Sequence, residues 1–248
     1  MNTSHTGAPR LGIIVFARMS SSRLPGKVLM DFGGRPLLAH IIARAQVLGY
    51  PVMVATSDGV EDDPVAEAAQ RCGALAFRGS LDNVLQRAVD CAHAHGLHAF
   101  ARLCGDRPYF PVGQMRDGLA QMQAALAQGE ALDLASNHLP LNPPPGLSTE
   151  VVRVAALERA LAAAPDARQR EHLTAWLYDH AAALRIQPLP GDWVAAHGLR
   201  FAVDTAADHR RLAQAAAALG DVHASTESVA RWLAAQPAAD VAAAEGAA

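Results

Sequence analysis

The chain has 248 residues, 51% of them hydrophobic and 18% charged, with a net charge of −3 and a pI near 6.4. That length holds one large α/β domain or two small ones. The charge balance excludes a global positive field that would draw the protein to nucleic acid or to an anionic membrane, so neither is expected as a partner.

Residues 1–10 read as a disordered leader. Arg10 followed by LGIIVFA superficially resembles a signal peptide, but the apolar run is short and Arg18 stops it. No run approaches the ~20 apolar residues that span a bilayer. Cys72, Cys91 and Cys104 are too few and too scattered for a disulfide framework or a zinc site, and read as small buried apolar residues of a reducing, cytoplasmic compartment.

Strand-like and helix-like segments then alternate. Leu11–Ala17 (LGIIVFA), Val52–Thr56, Ala74–Phe77, Leu97–Leu103, Leu132–Ser136 and Leu199–Asp204 are short apolar runs of strand type. Between them lie the helical patterns PLLAHIIARAQVLG, PVAEAAQRCG, NVLQRAVDCAHAHG and MRDGLAQMQAALAQG, three of them stopping at Gly49, Gly73 and Gly96. The alternation predicts a single α/β domain over 11–235, with a mixed, mostly parallel sheet covered by helices on both faces. Residues 140–190 break the rhythm with LNPPPGLS, the extended piece TEVVRV and two alanine-rich helices. This stretch reads as an inserted subregion for acceptor or homodimer contacts, because its apolar helices exceed what the main core needs. Residues 239–248 read as a frayed or disordered tail.

The loop after the first strand, ARMSSSRLPGK, carries Arg18, Arg23 and Lys27 with Ser21 and Ser22 between them. A loop of small and cationic residues at the carboxyl end of a strand suits a triphosphate. It is neither a P-loop nor a dinucleotide fingerprint. Residue types alone leave two readings open: a phosphate cradle, or a turn whose charges face water.

The motif A-R-M-S-S-S-R-L-P-G-K-V-L resembles the opening of the cytidylyltransferases that make CMP-activated sugars, most closely the spore-coat polysaccharide type and more distantly the KDO and acylneuraminate types. The similarity continues in order through ATSDGVEDDPVAEAA, FRGSLDNVLQRA, RLCGDRP, SNHLP, GLSTEVV, REHLT and FAVDTAADHRRL. The resemblance implies a nucleotide-diphospho-sugar transferase-like, Rossmann-like fold. It implies transfer of CMP from CTP to a sugar acid, sugar or phosphonate acceptor, with release of pyrophosphate and dependence on Mg²⁺ (or Mn²⁺). It places Arg18, Lys27 and Asp106 at the catalytic centre, and Ala17, Arg18, Ser21, Ser22, Arg23, Lys27, Arg78, Gly79 and Ser80 around the nucleotide. Arg107, Glu150, Arg170, Glu171 and His172 fall on the acceptor side. Asp106 and Asp204 become metal ligands, as hard-oxygen Mg²⁺ sites require; the local alternatives are a turn before Pro108 and the cap of a helix starting near Ala206.

Several positions depart from the family pattern. Phe16 and Ser20 stand where Gln and Gly are usual, Arg107 and Tyr109 replace a small neutral residue and Leu, and Ser148 replaces an acid. These departures leave a non-catalytic nucleotide-binding module open. A glycosyltransferase would carry D-x-D after a strand, and a sugar-1-phosphate nucleotidyltransferase a longer Gly-rich loop; neither is present.

Overall fold

The computed structural model describes residues 8–139, 142–163, 165–191 and 196–236. Of the expected terminal disorder at 1–10 and 239–248, only 8–10 fall among the described residues. These are held in place: Arg10 N donates to His98 Nδ1 at 3.0 Å and Gln123 Nε2 to Pro9 O at 3.3 Å. Seven strands form one sheet: β1 (Leu11–Phe16), β2 (Val52–Ser57), β3 (Leu75–Gly79), β4 (Ala99–Cys104), β5 (Leu134–Ser136), β6 (Glu150–Arg153) and β7 (Ile186–Pro188). Their order is β3-β2-β1-β4-β6-β5-β7. Only β6 is antiparallel to its neighbours; β1, β2, β3 and β4 pair in parallel, as do β5 and β7. The fold is therefore the mostly parallel, mixed α/β sheet that the alternation predicts.

Strand alternation sends successive side chains to opposite faces. Ile13, Val15, Ala101 and Leu103 point into one core, Ile14 and Phe100 into the other. The first core is covered by α1 (Leu37–Gln46), α2 (Asp63–Arg71), α4 (Val112–Ala127), α8 (Ala206–Leu219) and α9 (Thr226–Ala234). The second is covered by α3 (Val84–Ala94), α5 (Val154–Ala162) and α7 (Ala175–Asp179), with α6 (Ala167–Glu171) beside α3. Gly49, Gly73 and Gly96 do sit in the left-handed turns that follow α1, α2 and α3.

The 140–190 stretch contributes β6 and β7 to the sheet itself. The apolar residues of its helices and of the turn between α6 and α7, including Ala156, Leu157, Ala160, Leu173 and Leu177, are buried in the second core. Their packing inside one chain accounts for the apolar surplus seen in the sequence.

Leu199–Asp204, read as a strand, is not one. It enters no ladder: Phe201 N donates to Pro145 O at 2.7 Å and Val203 N to Asp106 O at 2.8 Å, both in loops. Gly146 makes this possible. Its φ is +96°, and a Cβ there would lie 2.3 Å from the Phe201 carbonyl carbon, so only glycine lets the two backbones meet. β7 has the opposite history: three residues ending in proline carry too little pattern to be read as a strand.

Candidate active site

Parallel strands deliver their carboxyl ends to one edge, and there the chain builds a cleft of roughly 480 Å³. A larger groove, roughly 1110 Å³, runs along α4 and the β7 edge, but among the described residues Glu130 and Arg185 are the only charged side chains on it. The cleft at the β1 and β4 ends gathers six cations, Arg18, Arg23, Lys27, Arg87, Arg102 and Arg107, with Asp106, Glu171 and Asp204.

The loop after β1 is pinned before any ligand arrives. Met19 N donates to Asp62 Oδ1 at 2.6 Å, and Ser57 donates to the other oxygen through its N–H and hydroxyl. Burial alone would raise the Asp62 pKa, but these donors outweigh it and hold it below its usual value. Gly26 takes a left-handed turn (φ +71°) and donates its N–H to Met19 O at 2.9 Å, which closes the loop and starts the short helical turn carrying Lys27. Gly105 N donates to Phe16 O at 2.8 Å, so the β4 loop is stitched to the end of β1.

Lys27 is the hub. It is 8% exposed, and its Nζ donates to Val203 O at 2.7 Å and to Asp106 Oδ2 at 2.8 Å. Asp204 Oδ1 lies 3.8 Å away. The two aspartates come from sequence segments far apart, yet they flank one ammonium because Val203 N holds the Asp106 carbonyl. Asp204 also meets Arg23 at 2.9 Å and Arg200 at 2.8 Å. It caps no helix: Thr205 caps α8, through a capping box with Asp208. Arg18 pairs with Glu171 at 3.0 Å.

Of the positions singled out in the sequence, Ala17, Arg18, Ser21, Ser22, Arg23, Lys27, Asp106, Arg107, Glu171, His172 and Asp204 line this cleft. Arg78, Gly79 and Ser80 do not. The Arg78 guanidinium is held instead by Ser57 O, Gly59 O and Asp63. Arg170 is exposed and donates to Pro165 O at 2.8 Å, away from the cleft.

Glu150 also stays out of the cleft. It is 4% exposed and accepts from Arg102, from the Thr174 hydroxyl and from the Tyr178 hydroxyl, the last two at 2.7 Å. Burial pushes its pKa up, but Arg102 and the two hydroxyls win and bring it down to about 2. Its place is to hold Arg102, whose side chain reaches the cleft. A carboxyl with a depressed folded pKa stabilises fully above its unfolded value, and this contribution drains as pH falls. Here that window runs from about 4.5 down to about 2. Glu150→Gln leaves Arg102 buried without a counter-charge and is expected to cost about 3 kcal/mol near neutral pH. The variant should also lose part of the acid limb between those two pH values. Urea unfolding at several pH values checks both, and equal stability with wild type at pH 7 would remove this role.

Arg87 and Arg102 went unread in the sequence. Arg87 is 2% exposed, on the apolar face of α3, and its Nη1 donates to Ser80 O at 2.5 Å while Nε has no partner. A cation at a core-facing helical position, or inside an apolar strand as for Arg102, is the signal that could have found them. Cys104 is a further revision: it is half-buried and lines the cleft rather than filling a core. Two departures from the family pattern are accommodated without local strain. Ser20 needs no glycine conformation, since Asn142 alone among the described non-glycine residues has a positive φ. Tyr109 is buried among Phe32, His40 and Arg44.

Comparison with known proteins gives this geometry its context. A family profile described as cytidylyltransferase matches residues 12–217. The spore coat polysaccharide biosynthesis protein SpsF of Bacillus subtilis is 32% identical over 223 residues, covering 86% of this chain and 90% of that protein. An uncharacterized protein of Methanocaldococcus jannaschii is 30% identical over 200 residues, covering 79% of each. Among solved structures, a cytidylyltransferase from Leptospira borgpetersenii superposes with a TM-score of 0.82 at 23% identity, covering 91% of this chain and 94% of that one. A CMP:2-keto-3-deoxy-manno-octonic acid synthetase complexed with CTP superposes with a TM-score of 0.63 at 22% identity, covering 85% and 99%. The profile match over most of the chain and the long alignment with SpsF establish that the chain belongs to the cytidylyltransferase family and is a nucleotidyltransferase.

Proposed function

We propose that the cleft binds CTP with a divalent cation and transfers CMP to a hydroxyl or acid group of a small acceptor, releasing pyrophosphate. The observation that carries this reading is the convergence of Arg18, Arg23 and Lys27 with Asp106 and Asp204 at the ends of β1 and β4. The acceptor oxygen would attack the α-phosphorus in line, and the protein's task is to orient the triphosphate and offset its charge. Arg18 offers two parallel N–H donors to phosphate oxygens, while Lys27 acts as a point charge. Both would exchange a carboxylate partner for phosphate, so each cation is already held near its working position, which lowers the ordering cost of binding.

Asp106 and Asp204 fit a magnesium or manganese ion. Both carboxylates face the same ammonium and keep cleft exposure, with side chains 27% and 18% exposed, and Mg²⁺ is typically held by one or two carboxylates plus phosphate and water. When bound, such an ion would neutralise charge on the phosphates. Among the described residues there is no cluster of three or more metal-type side chains, so the remaining ligands would come from nucleotide and water.

The CTP named with the octonic acid synthetase structure supports cytosine over other bases, and the polysaccharide role named for SpsF supports a sugar-type acceptor. Three free cysteines suit a cytoplasmic setting, and no described helix is long and apolar enough to cross a membrane. A second copy of the chain is the partner reading, with light scattering at high concentration as its check. The apolar residues of 140–190 are already buried within one chain, so such a contact would use other surfaces of that region. The functional test is pyrophosphate release with the four nucleoside triphosphates, Mg²⁺ or Mn²⁺, and a panel of sugar acids, sugars and phosphonates. Release with CTP that needs both metal and acceptor supports the reading; release that prefers another triphosphate, or that persists without metal, would overturn it.

A further inference from the structure

Four of the six cleft cations already have a carboxylate. Arg18 has Glu171, Arg23 has Asp204, Lys27 has Asp106 and Arg102 has Glu150. Arg107 differs. It is half-buried on the cleft wall, no carboxylate of the described residues lies within 4.0 Å of it, and its side-chain partner is the Ser148 hydroxyl at 2.6 Å from Nη1. A serine oxygen holds the guanidinium in place but neutralises nothing, and it uses one of five N–H donors. A partly desolvated cation without a counter-charge is costly, and an anionic ligand would remove that cost.

Arg87 is the other cleft cation without a carboxylate of the described residues within 4.0 Å, but it is 2% exposed and its Nη1 is spent on Ser80 O, so it is far less open to a ligand. Arg107 follows β4, and Ser148 leads into β6, which lies beyond β4 from the β1 loop in the strand order. The triphosphate loop covers the end of β1, so the Arg107–Ser148 pair faces what the nucleotide leaves free.

We infer that the acceptor carries an anionic group, a carboxylate, phosphate or phosphonate, that is received by Arg107 as held by Ser148. This rests on the nucleotidyl-transfer reading above. The Ser148 oxygen accepts from Arg107, which leaves its own hydroxyl proton to donate to the same anion. A neutral sugar could accept single hydrogen bonds here, but it would leave the guanidinium uncompensated. Arg107 thus acts as a specificity determinant one residue from Asp106, without taking part in the chemistry.

The test uses matched probes: gluconate against sorbitol, glycerol 3-phosphate against glycerol, and 2-hydroxyethylphosphonate against ethylene glycol. Each is titrated calorimetrically into wild type, Arg107→Ala and Arg107→Lys, with and without Mg²⁺ and α,β-methylene-CTP. The expected result is that at least one anion binds wild type more tightly than its neutral partner. Arg107→Ala should weaken that anion by about ten- to a hundredfold, the loss of a charge-assisted contact. Arg107→Lys should restore part of it, and the nucleotide analogue should bind all three proteins alike. The three pairs also separate carboxylate from phosphate and phosphonate. The inference is overturned if no anion outbinds its neutral partner, or if Arg107→Ala binds the anions as wild type does. Failure of the nucleotide analogue to bind would instead defeat the nucleotidyl-transfer reading, while the anion arms without nucleotide are still read.

Discussion

Asp106→Asn is expected to lower turnover by about a thousandfold or more, since an amide is a far poorer Mg²⁺ ligand than a carboxylate and metal-assisted charge stabilisation is worth several kcal/mol. The fold should survive. The Asp106 backbone carbonyl, not its side chain, holds Val203 N, and an asparagine oxygen can still accept from Lys27. Stability should therefore change by less than about 1 kcal/mol. Steady-state rates with and without chelator, beside a thermal melt, check this; activity that persists in chelator would take both aspartates out of the metal role.

Lys27→Ala should reduce kcat/KM for CTP by about a hundred- to a thousandfold, through loss of a charge-assisted contact to a developing phosphate charge. It should also weaken the fold, an effect the sequence does not suggest. Removing Nζ strands the Val203 carbonyl and leaves Asp106 and Asp204 facing each other without their shared cation. Unsatisfied buried groups of this kind cost about 1–3 kcal/mol. Lys27→Arg keeps the charge but not the compact point donor, and should recover stability better than rate. Wild-type kcat/KM in Lys27→Ala would mean that the β1 loop does not hold the triphosphate.

How far the sequence reveals this molecule depends on how local each signal is. β1 and β2 are legible because they are buried on both faces and therefore appear as unbroken apolar runs. The loop from Arg18 to Lys27 is legible because its residue types and order carry a chemistry of their own. Leu199–Asp204 misleads because apolarity reports burial, while a strand also needs a neighbour in register, and Pro145 and Asp106 supply only single bonds. Even so, Asp204 arrives beside Asp106, as strand ends on one edge would require.

Glu150 and Arg78 show the limit on the site side. Their charges are spent on Arg102 and Asp63, partners that sequence spacing does not reveal. Arg87 and Arg102 fail in the opposite direction. Each sits in a pattern that reads as core, and only the fold shows that the core opens onto the cleft at that point.

The central claim, that the cations at the end of β1 hold a nucleoside triphosphate, is tested most directly by equilibrium titration of CTP with Mg²⁺ into wild type and Arg18→Ala. Arg18 is half-buried and its one ion pair, to Glu171, has both side chains more than a third exposed, so the variant should fold normally. Wild type should bind CTP, and the loss of a bidentate phosphate contact should weaken binding by about ten- to a hundredfold in the variant. Equal CTP affinity in the two proteins would contradict the account.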